Sequence, residues 1–292
     1  MGAKLKTYLI LFGGVFALST SAIFVKLSAA PSAVTAFYRL LFAGCMLLPF
    51  FLLGKNNRTE AAAIQPRQWG QIAFAGLFLA LHYVLWFESL NYTSTASSTV
   101  IVCLQPLFSL ALERFLLKKK IKSAALTGCA VALIGCFIIG AGDFQISGRA
   151  LIGDILAFVA AGVISCYYFV GEKVRKEISA ITYSTAAYFC SALILLVYIL
   201  IRQDPLSGFP MQTWKAFLGI ALVSTIGGQF VFNLLLKKLP ASAVTMGILG
   251  EPIGTCILAY FILKEGMAMD QLTGFAIIII GMAIFFMPEK RK

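Results

Sequence analysis

Long apolar runs separated by short polar ones occupy almost the whole chain. Windowed hydropathy places ten of them, near 8–28, 32–53, 69–88, 95–116, 122–141, 150–170, 180–201, 214–236, 242–263 and 271–287. Each approaches the roughly 20 apolar residues that a helix needs to cross a bilayer. Strands are not expected, because open sheet edges cannot be satisfied in lipid. The predicted fold class is therefore an all-α polytopic membrane protein with ten transmembrane helices. The first run follows Lys4 and Lys6 and ends in small residues, as a signal peptide does. The internal repeat described below argues that it is retained.

Composition agrees with that pattern. Of 292 residues 60% are hydrophobic and only 12% charged, against about 25% charged in a soluble globular chain. So little charge cannot clothe a soluble domain, and a soluble enzyme is excluded. The seven Cys lie singly inside apolar runs, with no CxxC pair or Cys/His cluster. Neither a zinc site nor a disulfide framework is supported, and no cofactor is implied.

The net charge of +12 becomes informative once it is placed. With a cytoplasmic N-terminus, the inside segments take Lys4, Lys6, Lys55, Arg58, Arg67, the run around Lys118–Lys122 and the C-terminal Lys290, Arg291 and Lys292. The outside ends keep Lys26, Arg39, Arg149, Arg202, Lys215 and Lys264. This bias predicts a multi-pass protein of the cytoplasmic (inner) membrane with both termini cytoplasmic. The basic residues mark orientation and not nucleic-acid binding.

A shift of 146 positions lays NYTSTASSTVIVCLQPLFSLALERFLLKKKIKSAALTG on KKLPASAVTMGILGEPIGTCILAYFILKEGMAMDQLTG without a gap. Thr99/Thr245, Pro106/Pro252, Phe115/Phe261, Lys118/Lys264 and the LTG at 126–128 and 272–274 coincide. The chain thus divides into halves 1–145 and 146–292 of five helices each. Five is odd, so the second half is inverted. The loop KKKIK becomes KEGMAMD in the second copy, as expected for one element facing opposite sides of the membrane. Inverted repeats are a recurrent plan of secondary transporters, which alternate access around a midplane site.

These fragments together resemble the EamA branch of the drug/metabolite transporter superfamily. The resemblance rests on LQPLF and GEPIG, on FLLKKK and FILKEG closing helices four and nine, and on LTG opening helices five and ten. Arg39 in FYRLLFAG and the stretch LHYVLWFESLNYTSTASS also match the family pattern. Lys119 departs from it, since the family often has Glu there, as Glu265 is in the second copy. The resemblance implies ten helices with both termini inside, and export or import of small metabolites, often amino acids. It also implies a central cavity lined by helices one, three, four, six, eight and nine.

Ionisable groups in mid-membrane are functional candidates by default. Glu251 sits between Gly250 and Pro252 near the middle of helix nine. Pro252 has no N–H, so the carbonyl of Ile248 loses its helical partner. A carboxyl at a helix kink suits an ammonium group, a cation or a coupling proton; the alternative is a buried carboxyl paired for packing. Gln105 before Pro106 is its counterpart in the first half and could bind without titrating. His82, the sole histidine, has Trp86 on the same helical stripe and Tyr83 beside it. They suit a cavity lining, a proton relay or a plain interhelical contact. Arg39 is expected to hold a substrate carboxylate or to pair with Glu88 as an outer gate. Gln229 and Asn233 form an i, i+4 amide pair in helix eight, and Ser21, Thr99 and Thr245 add hydroxyls. Tyr167 and Tyr168 offer ring faces, with packing as the alternative for each.

Gly128, Gly135 and Gly142, with Gly274 and Gly281, recur every seven residues and mark a close helix seam within one molecule or between two. Both monomer and homodimer remain open. GAGD at 140–143 copies the GxGD of intramembrane aspartyl proteases, but Asp143 falls at an outward loop with no intramembrane Asp to share a proton. Catalysis is not expected. The sequence points instead to a secondary-active exporter of small metabolites, amino acids or other amine-bearing compounds, working by alternating access across the bilayer. An importer of choline-like organic cations and a non-transporting membrane partner protein are the two rivals.

Overall fold

The computed structural model describes residues 2–93, 95–140, 148–264 and 269–287. Gly142, Asp143, Glu265 and the basic residues 290–292, all discussed above, lie outside them. The regular elements among the described residues are all helices: α1 (Gly2–Leu27), α2 (Ser32–Leu53), α3 (Lys55–Ala63), α4 (Pro66–Ser89), α5 (Thr95–Val102), α6 (Gln105–Leu116) and α7 (Ser123–Gly140). The second half continues with α8 (Gly148–Val174), α9 (Ala180–Arg202), α10 (Met211–Gly219), α11 (Val231–Leu235), α12 (Ala241–Ile248), α13 (Glu251–Leu258) and α14 (Met269–Phe285).

Eight spans among them are long and apolar enough to cross a membrane, and two shorter apolar helices, Ser123–Ile139 and Met269–Phe285, complete the ten. α5 with α6, and α12 with α13, each make up one span that sequence reading took as continuous. α3 is an addition: its run KNNRTEAAA is too polar for lipid. Its Glu60 carboxylate instead accepts from Ser179 N–H at 2.7 Å and Thr182 Oγ1 at 2.6 Å, tying the start of α9. Large apolar side chains such as Leu9, Phe74, Phe115, Leu193 and Phe261 stay exposed. They form the surface that a bilayer covers.

The two-repeat plan shows in the backbone. α12 begins and ends 146 residues after α5, α13 begins 146 after α6, and α14 begins 146 after α7. Lys118 and Lys264 occupy the same left-handed conformation, φ 52° and 55°, where their spans end. Tyr8 near the start of α1 packs edge-to-face on Phe286 beyond α14, at 5.1 Å between ring centres. The start of α1 and the end of α14 therefore lie at one end of the bundle, as ten crossings require, and five crossings per half invert the second half.

The main core joins α1, α2, α4, α8, α9 and the α10–α11 span. α7 and α14 stand beside it as a pair, joined to it through a smaller core with Cys103, Leu110, Met246 and Leu249. The glycine seam is their interface, so it lies inside one molecule. A Cβ on Gly135 would stand 2.7 Å from the Gly274 carbonyl oxygen, and one on Gly281 2.4 Å from Ala132 N. Backbone atoms oppose both glycines, joined at Gly135 by the Ile278 side chain at 2.8 Å, and backbone cannot move aside. Gly135→Val is therefore expected to lower the melting temperature in detergent, by an overpacking cost of about 1–3 kcal/mol or more. An unchanged melting temperature would show that the seam can open.

Between α10 and α11, residues Ile220–Phe230 wind as a π-helix. Thr225 Oγ1 donates to Ile220 O, five residues back, at 2.9 Å. Gly228 lets this segment cross α1 closely, since a Cβ there would lie 3.0 Å from Gly14 O. Long π segments are uncommon and favour functional sites. This one positions Ser224, Thr225 and Gln229.

Candidate functional site

The two broken spans decide where the site sits. α5 stops at Val102 and α6 restarts at Gln105; α12 stops at Ile248 and α13 restarts at Glu251. The prolines therefore do more than kink their helices. Pro106 and Pro252 each take the second position of a new helix, where a missing N–H costs nothing. Gln105 and Glu251 thus open the two restarted helices at equivalent positions of the repeat.

They line one buried cavity together with Ser21, Arg39, His82, Tyr83, Trp86, Thr99, Gln229 and Thr245. Ten predicted residues thus meet, from α1, α2, α4, α5, α6, the π segment, α12 and α13. The cavity volume is about 50 Å³, room for a few waters at about 10–15 Å³ each. An amino-acid-sized solute enters only if the walls part, and the breaks in the two spans are the natural places.

Arg39 is 1% exposed and fully engaged on one side of the cavity. Its Nε donates to Thr225 Oγ1 at 3.0 Å, Nη1 to Ser21 Oγ at 3.2 Å and Nη2 to Ser224 Oγ at 3.4 Å. Its guanidinium carbon lies 4.7 Å from the Tyr83 ring centre. Glu251 has no ion pair with Arg39 or with any other described residue, and its carboxylate has no hydrogen bond among them. Only its backbone oxygen is engaged, accepting from Ser19 Oγ at 3.1 Å. The two groups thus share a cavity without touching each other.

Three further groups in the wall lack hydrogen-bond partners among the described residues: Trp86 Nε1, Gln105 Oε1 and Gln229 Nε2. Buried polar atoms are normally satisfied. Two donors and one acceptor left open around one cavity are therefore notable. His82 shares its Nδ1 proton with Ala160 O at 3.1 Å. In the neutral ring that leaves Nε2 as an acceptor. The His82 and Trp86 rings stack at 5.8 Å.

Other predicted residues lie elsewhere. Asn233 is fully buried one turn beyond Gln229, outside the cavity wall. It donates to Ser184 Oγ at 2.9 Å and Tyr167 Oη at 2.7 Å, while its backbone oxygen accepts from Arg175 Nε at 2.8 Å. Just outside the membrane-spanning part of α8, Arg175 is pulled down in pKa by burial, with Glu60 opposing. Tyr168 does reach the cavity, donating to Gln229 Oε1 at 3.1 Å.

The expected Arg39–Glu88 gate does not form. α2 turns Arg39 inward onto α1 and the π segment, whereas Glu88 sits at the end of α4 facing α9. There Glu88 takes Tyr198 Oη at 3.2 Å and Arg202 at 3.8 Å.

Sequence reading missed a second cluster, toward the end of the bundle that carries the termini. Glu113 and Glu172, 4% and 6% exposed, accept from the first amides of α12: Ser242 N–H at 3.0 Å and Ala241 N–H at 2.8 Å. Lys119 Nζ sits between them, 3.2 Å from Glu172 and 3.6 Å from Glu113. The Lys that departs from the family pattern thus bridges two acids. An acid inside the apolar run at Glu113 was the signal.

A cavity formed at paired helix breaks between two repeats is the architecture of a carrier, and similarity to known proteins agrees. The sequence profile of the EamA-like transporter family matches residues 5–141 and again 151–287. The chain belongs to the EamA-like transporter family. An uncharacterized transporter of Clostridium kluyveri is 24% identical over 86% of this chain and 82% of its own length. The uncharacterized transporter YwfM of Bacillus subtilis is 25% identical over 91% and 88%. Mouse solute carrier family 35 member F2 is 23% identical over 85% and 68%. A crystal structure superposes with a TM-score of 0.81 over 96% of this chain and 97% of that one, at 15% identity, which shows the shared fold. As an EamA-like protein the chain is a multi-pass membrane transporter, not an enzyme.

Proposed function

We propose that this transporter exports small amine-bearing metabolites, amino acids in the first place, by alternating access of halves 1–145 and 146–292 in the cytoplasmic membrane. The observation that carries this reading is the unpaired Glu251 carboxylate. It stands at the break between α12 and α13, in a cavity whose opposite charge, Arg39, does not touch it. An ammonium group bridges Glu251 and the open Gln105 oxygen, and the substrate carboxylate lies toward Arg39 and the open Gln229 and Trp86 donors. Glu251 also offers a proton-exchange site between substrate cycles. Placing substrate here relieves three unmet polar atoms and an unpaired charge, which in lipid each cost free energy.

The test is uptake into proteoliposomes from a panel of amino acids and amines, with Glu251→Gln alongside. A solute moved by the wild type and lost in Glu251→Gln by about two orders of magnitude is the expected result. Equal rates in the two proteins would remove Glu251 from the site.

The stacked His82–Trp86 pair beside Tyr83 and Tyr168 favours a second reading, in which an organic cation enters an aromatic wall with Glu251 as counter-ion. Counterflow decides between them. Choline exchanging faster than amino acids supports the cation reading, and the reverse order supports the first.

A further inference from the structure

The surface between α6 and α7 carries a feature that solute transport does not use. After the break at Gln105, α6 packs on α8 and α12 rather than on α7. The two consecutive helices splay apart and leave a groove of about 590 Å³ on the outside of the bundle. Its sides are apolar: Leu107, Leu110, Ala111 and Phe115 from α6, with Leu126 from α7. Its rim, where α6 ends, carries Arg114 and Lys120. Phe115 is 77% exposed, so the groove opens onto the surface that lipid covers.

We infer that this groove binds one anionic phospholipid, with an acyl chain between α6 and α7 and the phosphate at Arg114 and Lys120. Charge complementarity identifies the occupant. Lys119 is committed to Glu113 and Glu172. Arg114 and Lys120, by contrast, are exposed and have no ion pair among the described residues. The left-handed turn at Lys118, φ 52°, brings the chain back over the end of α6 and sets Lys120 on the same rim as Arg114. Glu113, the acid closest in sequence, is buried and consumed by Ser242 N–H and Lys119. A basic recess between membrane helices attracts anionic headgroups, each surface Lys or Arg contributing about fivefold in affinity. The second copy replaces KKKIK by KEGMAMD, so the site belongs to one leaflet. On the positive-inside reading that is the cytoplasmic one.

The experiment is a thermal-shift titration of delipidated full-length protein in detergent. The probes are phosphatidylglycerol, phosphatidylcholine and inorganic phosphate, tested on wild type, Arg114→Gln/Lys120→Gln, Ala111→Trp and Lys237→Gln/Lys238→Gln. All the replaced cations are exposed, so the variants are expected to fold. Expected is stabilisation by phosphatidylglycerol alone. Its half-saturating concentration should rise at least about tenfold in Arg114→Gln/Lys120→Gln and in the groove-filling Ala111→Trp, and stay unchanged in Lys237→Gln/Lys238→Gln. An equal effect of inorganic phosphate would assign the rim to a free anion. Equal loss in Lys237→Gln/Lys238→Gln would reduce the effect to general surface charge. Unaltered binding in Ala111→Trp would take the acyl chain out of the groove. Each of these three results overturns the proposal, and none depends on which solute the carrier moves.

Discussion

Arg39→Lys is expected to abolish transport and to lower the melting temperature sharply, although it keeps the positive charge. The guanidinium fork reaches three hydroxyls, Thr225, Ser224 and Ser21, which sit on the π segment and on α1. All three are at most 1% exposed, so none has water as a substitute partner. A lysine ammonium is a single point on a flexible stem and cannot span them. Hydrogen bonds to charged groups contribute about 1.5–3 kcal/mol each. Losing two of the three costs roughly 3–6 kcal/mol, although Thr225 and Ser224 keep their bonds to Ile220 O and Leu18 O. Tyr83 also loses the planar cation stacked over its ring. The functional loss follows from the same geometry, because these bonds fix the π segment that presents Gln229 to the cavity. Thermal unfolding in detergent and proteoliposome flux check the two halves of the prediction. Native-like melting with full flux in Arg39→Lys would mean that the fork is not what holds α2 to the opposite repeat.

Arg39 also shows what was legible in the sequence. A cation inside the apolar run of α2 announced importance, and hydropathy placed the helix correctly. Its partners were not readable, because Ser and Thr in apolar helices usually bond their own backbone. Nothing in the one-dimensional pattern says which of them turn toward a guanidinium. Glu88, a carboxylate of the right charge, was the obvious partner and the wrong one, since pairing depends on which faces of α2 and α4 meet. The 146-residue repeat, by contrast, carried across fully. Register is a property of the chain itself, so Gln105 and Glu251 could be paired before any coordinates. The breaks at Val102 and Ile248 were half legible: proline predicts a lost hydrogen bond, while a complete restart of the helix depends on neighbours that accept the new termini. The glycine seam was visible as a period of seven, but its location inside one molecule became clear only from α7 packing on α14.

Replacing Glu113 and Glu172 together by alanine is expected to free the start of α12 and open the cavity toward the end of the bundle that carries the termini. The first amides of any helix have no acceptor within it, and at α12 two of them, on Ala241 and Ser242, are met by these carboxylates. Negative charge is favoured at a helix N-terminus, and an N-terminal cap is worth about 0.5–2 kcal/mol. Lys119 adds two ion pairs that join α6 and α8 at the same point. One cluster thus clamps α12 between α6 and α8, and α12 supplies Thr245 and Ile248 to the cavity wall. Any opening on that side that carries α12 away must break this clamp. The double alanine variant is expected to lose roughly 3–5 kcal/mol by the charge-assisted values. Cys103, buried in the cavity wall, then becomes reactive to a water-soluble maleimide when it is the sole cysteine. The double glutamine variant keeps an acceptor oxygen at each amide and falls between it and the wild type, which separates the loss of the caps from the loss of charge. If Cys103 stays protected in the alanine variant while its melting temperature falls, the clamp stabilises the fold without gating the cavity, and the closing contact lies elsewhere on α12.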